Sequence, residues 1–159
     1  MEGKMKDETL KLTILGTRGS VPVCGRRFLK YGTATSCIRI QGFSEDIFLD
    51  AGNGIIDADD FGQGRVSILI THPHIDHLLG LPFFGGFFIP GKKVDIYMER
   101  FNEKGLEETI DTLFAPPYWP IKIKDFPADV RFNDIEHDGG VSSFDIGKMH
   151  VSLICGCHP

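Results

Sequence analysis

Short apolar runs, each broken by glycine, proline or a polar cluster, recur along the chain. Leu12-Thr13-Ile14-Leu15 ends at Gly16 and predicts a first strand. Cys37-Ile38-Arg39-Ile40 alternates in and out, and Ile47-Phe48-Leu49 follows across a turn over 42–45, predicting two more. Residues 66–70 form a compact apolar run, the mark of a strand buried on both faces. Strand character resumes over 92–98. Leu106, Ile110, Leu113 and Phe114 fall at i, i+4, i+7 and i+8, which predicts an amphipathic helix over 103–115. Asn102 can cap its start, and Pro116-Pro117 ends it. Further strands are expected near 129–135, 141–146 and 149–155. The coarse order is strand-rich with two helices, and no repeat or linker divides it. We expect one domain over 1–159 with a layered α/β fold, a mixed sheet covered by helices on one face.

Composition narrows this picture. The chain has 159 residues, ordinary for one domain, with 19 glycines and 9 prolines that imply many tight connections. Its formal charge of −5 argues against gripping nucleic acid by bulk charge, although a local basic patch stays open. The longest stretch without a charge, 78–91, contains Gly80, Pro82, Gly85, Gly86 and Pro90 and is too short and broken to span a bilayer. The N-terminal MEGKMKDETLKL mixes both charges and has no apolar h-region, so no secretory signal is read. Cys24, Cys37, Cys155 and Cys157 have no disulfide-framework spacing. A reducing, cytoplasmic location is expected.

The chemistry concentrates in Thr71-His72-Pro73-His74-Ile75-Asp76-His77, directly after the buried strand. Three imidazoles and one carboxylate occupy six residues, using half of the chain's six histidines. A strand end fixes the backbone, so the turn after it can aim alternate side chains at one spot. His72 and His74 can converge on one ion, and Asp76 and His77 can reach a second. Imidazole with carboxylate suits zinc, and also manganese or iron. The bland alternative is a polar loop of exposed histidines.

His72-x-His74-x-Asp76-His77 resembles the HxHxDH motif of the metallo-β-lactamase fold superfamily. Asp50-Ala51-Gly52-Asn53-Gly54 resembles its upstream acidic turn, which implies that Asp50 supports the site from behind the ligands. Leu15-Gly16-Thr17-Arg18-Gly19-Ser20, Tyr31-Gly32-x-x-Thr35-Ser36-Cys37 and Gly80-Leu81-Pro82-Phe83-Phe84 are similar to the branch holding RNase Z and the cyclic phosphodiesterases. The resemblance runs from about residue 11 to the chain end. It implies an αββα sandwich, of which this chain holds the N-terminal half, and a site for two divalent metal ions. By the same analogy His72, His74 and His158 hold one ion, and Asp76 and His77 the other. The family's bridging aspartate and a further histidine would follow His158, where this sequence stops. Either a longer protein supplies them, or the chain is a half-protein; in the second case an apolar sheet face is expected to stand open, covered by self-association into a homo-oligomer.

The resemblance implies a metal-dependent hydrolase. Two ions lower the pKa of a water and offset charge on a phosphodiester. Asp76 would be a ligand that also orients the water. Arg18 and Arg26, in the loop over 17–35 with Arg27 and Lys30, are candidate substrate clamps, since arginine holds phosphate bidentately. The expected substrate is a small anionic phosphodiester: a cyclic nucleotide, a cyclic sugar phosphate or an RNA end, with larger nucleic acid not favoured. Thioester hydrolysis of the glyoxalase II type and an inactive half-domain serving assembly are the competing readings. Helical spacing makes Phe83, Phe84, Phe87 and Phe88 core residues before it makes them a stacking pocket. Residues 114–120 read as a rigid helix-ending turn, His137 and His150 as surface histidines, and Cys155 and Cys157 as strand-packed thiols.

Overall fold

The computed structural model describes residues 9–42, 45–61, 64–100, 103–136, 140–154 and 156. Eight strands and one α-helix organise them. In chain order they are β1 (Lys11–Gly16), β2 (Cys37–Gly42), β3 (Glu45–Leu49), β4 (Val66–Ile70), β5 (Lys93–Glu99), α1 (Leu106–Leu113), β6 (Asp129–Ile135), β7 (Val141–Ile146) and β8 (Met149–Ile154). β1 to β6 form one six-stranded sheet in sequence order, and β7 and β8 form a separate hairpin. The pairs β1–β2 and β2–β3 are antiparallel, and β3–β4, β4–β5 and β5–β6 are parallel. The mixed sheet is as expected.

Register sorts the side chains into two faces. Phe48 lies opposite Ile68, and Ile68 opposite Ile96, while Leu49 lies opposite Leu69, and Leu69 opposite Tyr97. Side chains alternate across a strand, so these are separate faces. The first packs under Leu78, Leu81, Phe84, Phe87, Leu106 and Ile110 into the main core. The second meets Ile146, Phe144, Met149 and Val151 of the hairpin. The one-sided cover expected from sequence is thus incomplete, because the hairpin covers part of the opposite face. β4 is buried at all five positions because it is central in the sheet and packed on both faces.

Two helical expectations need correction. α1 begins at Leu106, three residues later than 103, and ends at Leu113. Its N-cap residue, Gly105, makes no side-chain cap. The Leu106 amide donates instead to Asp134 Oδ1 of β6, at 2.7 Å. A remote carboxylate therefore meets the exposed first-turn donor; Asn102 lies outside the described residues. Among the described residues there is one α-helix, not two. The other helical pieces are single 3₁₀ turns, including Leu81–Phe83 and Gly85–Phe88. Pro82 and the Gly85-Gly86 pair prevent that segment from continuing as an α-helix. Its phenylalanines consequently divide: Phe84 and Phe87 are fully buried, whereas Phe83 and Phe88 are 47% and 57% exposed.

Candidate metal centre

The histidine loop leaves the end of β4, and the parallel neighbour β3 ends beside it at Asp50. Asp50 adopts a left-handed backbone, φ 61°, which aspartate tolerates better than most residues. Its amide donates to the Leu69 carbonyl at 2.8 Å, fixing the turn to β4. The loop itself is extended at His74 and closes into a 3₁₀ turn over Ile75–His77. Two backbone bonds tie it to the Asp50 turn: Ala51 N to His77 O at 2.8 Å and Gly80 N to Ala51 O at 2.9 Å. Gly52 permits this approach. A Cβ there would lie 2.5 Å from Thr35 Oγ1 and 2.6 Å from the carbonyl oxygens of Asp76 and Ser36. Any side chain at 52 would push the two turns apart.

Asp50, 5% exposed, organises what lies above it. Its Oδ1 accepts from the Thr71 amide at 2.9 Å and the Thr71 hydroxyl at 2.8 Å. Its Oδ2 accepts from Ser36 Oγ at 3.1 Å and meets His77 Nδ1 at 2.6 Å. The carboxylate fixes that ring's orientation and favours the proton on Nδ1, leaving Nε2 as the donor atom for a ligand. Asp50 also acts downward on Cys37, whose thiol is pushed up to about 12 by burial first and by the Asp50 charge second.

The remaining groups gather around His77. The His72 ring centroid lies 4.1 Å from that of His77 and 4.5 Å from that of His74. His72 Nε2 and His74 Nδ1 are 3.0 Å apart, and Thr71 Oγ1 lies 3.1 Å from His72 Nδ1. Asp76 Oδ2 lies 3.5 Å from His77 Nε2 and accepts from the Ser20 amide at 2.6 Å. Burial alone would raise the Asp76 pKa. The Ser20 amide, its own amide and the His77 and His72 rings outweigh that and hold it below the ordinary carboxyl value.

The structure places His72, His74, Asp76, His77 and Asp50 beside one another at the end of β4, in pairwise contacts. His158 lies outside the described residues. Arg18 sits in the loop that reaches the centre through Ser20, and Arg26 lies on the exposed turn Arg26–Phe28. Sequence reasoning assigned no role to Ser20, Ser36 or Thr71, although each bonds a carboxylate of the centre. Thr71 carried a local signal, since it directly precedes the histidines; Ser20 ends the Leu15–Ser20 motif, but its contact with Asp76, 56 residues away, has no local signal.

The donor chemistry, three imidazoles and a carboxylate braced from behind, fits a borderline divalent ion. The rings meet pairwise, however. Among the described residues, no group of three or more His, Cys, Asp or Glu side chains is arranged to hold an ion. No described helix is long and apolar enough to cross a membrane.

No protein-family model matches the chain. Individual proteins do. The chain is 29% identical over 155 residues to ribonuclease Z of Natronomonas pharaonis, covering 92% of this chain and 48% of that protein. It is 32% identical over 154 residues to ribonuclease Z of Clostridium botulinum, covering 91% and 42%. The chain therefore spans under half the length of these curated relatives. Among solved structures, human tRNase Z, short form, superposes with a TM-score of 0.57 at 21% identity, over 89% of this chain and 57% of that one. The metallo-β-lactamase fold protein YhfI of Bacillus subtilis gives 0.52 at 16% identity, over 87% and 49%. In fold and in sequence likeness, the chain is a metallo-β-lactamase-fold protein that resembles ribonuclease Z.

Proposed function

We propose that the chain belongs to a metal-dependent hydrolase that cleaves a phosphodiester bond of RNA. The observation that carries this reading is the gathering of His72, His74, His77 and Asp76 at the end of β4, with Asp50 bonded to His77 Nδ1 from behind. The likeness to ribonuclease Z supports RNA as the substrate class over a small cyclic phosphodiester. His72, His74, His77 and Asp76 would hold divalent metal, with zinc the ion that suits them best and His158 a further ligand. Metal bound there would supply an activated water and draw charge from the phosphoryl oxygens.

The protein groups have separate tasks. Asp50 keeps the His77 ring from rotating and keeps Nε2 available. The lowered pKa of Asp76 keeps it ionised near neutrality, so it serves as ligand and hydrogen-bond acceptor for a water. The Ser20 amide holds the Asp76 carboxylate in place and ties the loop over 17–35 to the centre. Arg18 and Arg26, carried on that loop, are the proposed phosphate clamps.

The test uses a transfer RNA transcript, bis-p-nitrophenyl phosphate and a glutathione thioester, each before and after chelation and zinc or manganese readdition. Diester cleavage should disappear on chelation and return with metal. Asp50→Ala should weaken metal affinity roughly 10- to 100-fold, as loss of a ligand's orienting partner does elsewhere. Turnover of the thioester alone, or diester cleavage indifferent to chelation, overturns the proposal.

A further inference from the structure

Away from the histidine loop, the hairpin face of the sheet turns polar. Ser67 of β4 lies opposite Ile47 of β3 on one side and Asp95 of β5 on the other, so the three share that face. Glu45, two residues before Ile47, points the same way. Ser67 is fully buried and Asp95 is 6% exposed. Ser67 Oγ, Asp95 Oδ1 and Glu45 Oε2 are all shut off from solvent, and none has a hydrogen-bond partner among the described residues. Buried polar atoms are nearly always paired, so three orphan oxygens from three adjacent strands mark a missing partner.

The charges around these oxygens do not balance. Arg65 Nη1 bonds Asp95 Oδ2, which leaves Asp95 Oδ1 over. The charges that act on Glu45 are those of Arg65, Asp95 and Asp46. Asp46 is already paired with Arg39 on the opposite face. One guanidinium therefore stands against two carboxylates, Glu45 and Asp95. Burial, ahead of those charges, raises the Glu45 pKa. Burial and then the Asp95 charge raise that of the Tyr97 phenol, two residues further along β5. The hairpin turn closes over the cluster. A Cβ at Gly147 would meet Glu45 Oε1 at 2.5 Å and Glu45 Cγ at 2.7 Å. Beside it Ile146 is buried against Ile47 and Leu69.

We propose that Glu45, Ser67 and Asp95 hold a small monovalent cation beneath the β7–β8 turn. A water there would donate to both carboxylates, but it would leave the second negative charge buried without compensation, which is costly in a protein interior. A monovalent ion supplies the missing partner of three oxygens and the missing unit of charge together. Carboxylate and hydroxyl oxygens are the donors that hard cations take. A divalent ion would overshoot the charge by one. The site shares no residue with the histidine centre and lies toward the other end of β4. An ion held by β3, β4 and β5 under the turn fastens the hairpin to the sheet.

The test follows the full chain near neutral pH in sodium chloride and in N-methylglucamine chloride at equal ionic strength. The bulky organic cation cannot enter a closed cluster of oxygens. EDTA, as its N-methylglucamine salt, keeps divalent metal off the histidine loop, so the readout is independent of the hydrolase reading. Sodium should raise the melting temperature. Amide exchange in β7 and β8 should slow about tenfold when sodium stands at roughly ten times its dissociation constant. Glu45→Gln removes the surplus charge: it should melt in the organic salt near the parent's value in sodium, and gain nothing from sodium. Ser67→Ala removes one oxygen and no charge, and should diminish the sodium response; it carries the same test if Glu45→Gln does not fold. Equal melting and exchange of the parent in both salts overturns the site. So does a sodium response that survives undiminished in either folded variant.

Discussion

Opposite faces of the same six strands are finished differently. On one, Phe48, Ile68 and Ile96 are fully buried beneath Leu78, Leu81, Phe84 and Phe87. On the other, Ile47 and Leu69 are covered by Ile146, but Leu12 and Ile14 on β1 remain 61% and 60% exposed. The two exposed residues lie opposite Ile40 and Ile38 of β2, so they extend the hairpin-covered face beyond the hairpin. The strands alternate alike toward both faces; what differs is the segment laid over each. The candidate centre belongs mechanically to the closed face. Its loop runs from His77 straight into Leu78, Leu81 and Phe84, all fully buried. The histidines are therefore positioned by the best-packed part of the molecule, and the comparison predicts where damage reaches them.

The largest effect should come from the closed face. Phe84 makes edge contacts with Phe48 at 5.4 Å, Phe61 at 4.8 Å and Phe87 at 5.3 Å between centroids. Phe84→Ala removes the common partner of three rings and should cost about 3–5 kcal/mol, the range for buried phenylalanine. At this chain length that corresponds to a fall in melting temperature of roughly 10 °C or more. Metal affinity should fall with it, since the loop's support is lost. A thermal melt showing almost no change would mean that the closed face is not where stability resides.

An intermediate effect should come from the hairpin. Ile146 is 3% exposed, but it seals a smaller cluster with one partly open side. Ile146→Ala should cost about 2 kcal/mol, the low end for aliphatic truncation. Its effect should be local: amide hydrogen exchange should quicken across β7 and β8 while β4 stays protected. Equal acceleration in β4 would show that the two faces unfold as one unit and would remove the distinction drawn between them.

Parts of this arrangement were legible in sequence, and the reason differs by residue. The five-residue run of β4 is a local signal, and the strand forms where that run predicts it. β6, β7 and the start of β8 were also placed well. α1 is shorter than the 103–115 that its apolar spacing predicts, because its N-terminal donor is met by Asp134, distant in sequence, which no local rule can see. Alternation in β2 sends Arg39 inward, where polar residues are not expected. It is accommodated because Asp46 on the neighbouring strand takes two of its donors, at 3.2 Å and 2.9 Å, and the Phe48 and Phe61 rings lie against it. Phe83 and Phe88 were expected in the core by helical spacing; two 3₁₀ turns changed the period and turned them outward. In each case a contact across the fold, or a break in backbone period, decided the outcome.

The smallest effect sharpens the comparison most. Leu12 and Ile14 have the same side chains that stabilise the closed face, yet most of their surface meets water in the described chain. Replacing both, as Leu12→Thr/Ile14→Thr, keeps strand propensity because threonine is β-branched. Little buried apolar area is lost, so unfolding stability should stay within about 0.5 kcal/mol of the parent at low protein concentration. Sedimentation reads the other consequence. Contiguous apolar side chains on an edge strand favour association, and polar replacements oppose it. If copies of the chain pair through this face, the variant should sediment as monomer at concentrations where the parent does not, and the parent's melting temperature alone should rise with concentration. A stability loss as large as that of Ile146→Ala, seen in monomer, would place Leu12 and Ile14 within the folded chain's own core instead.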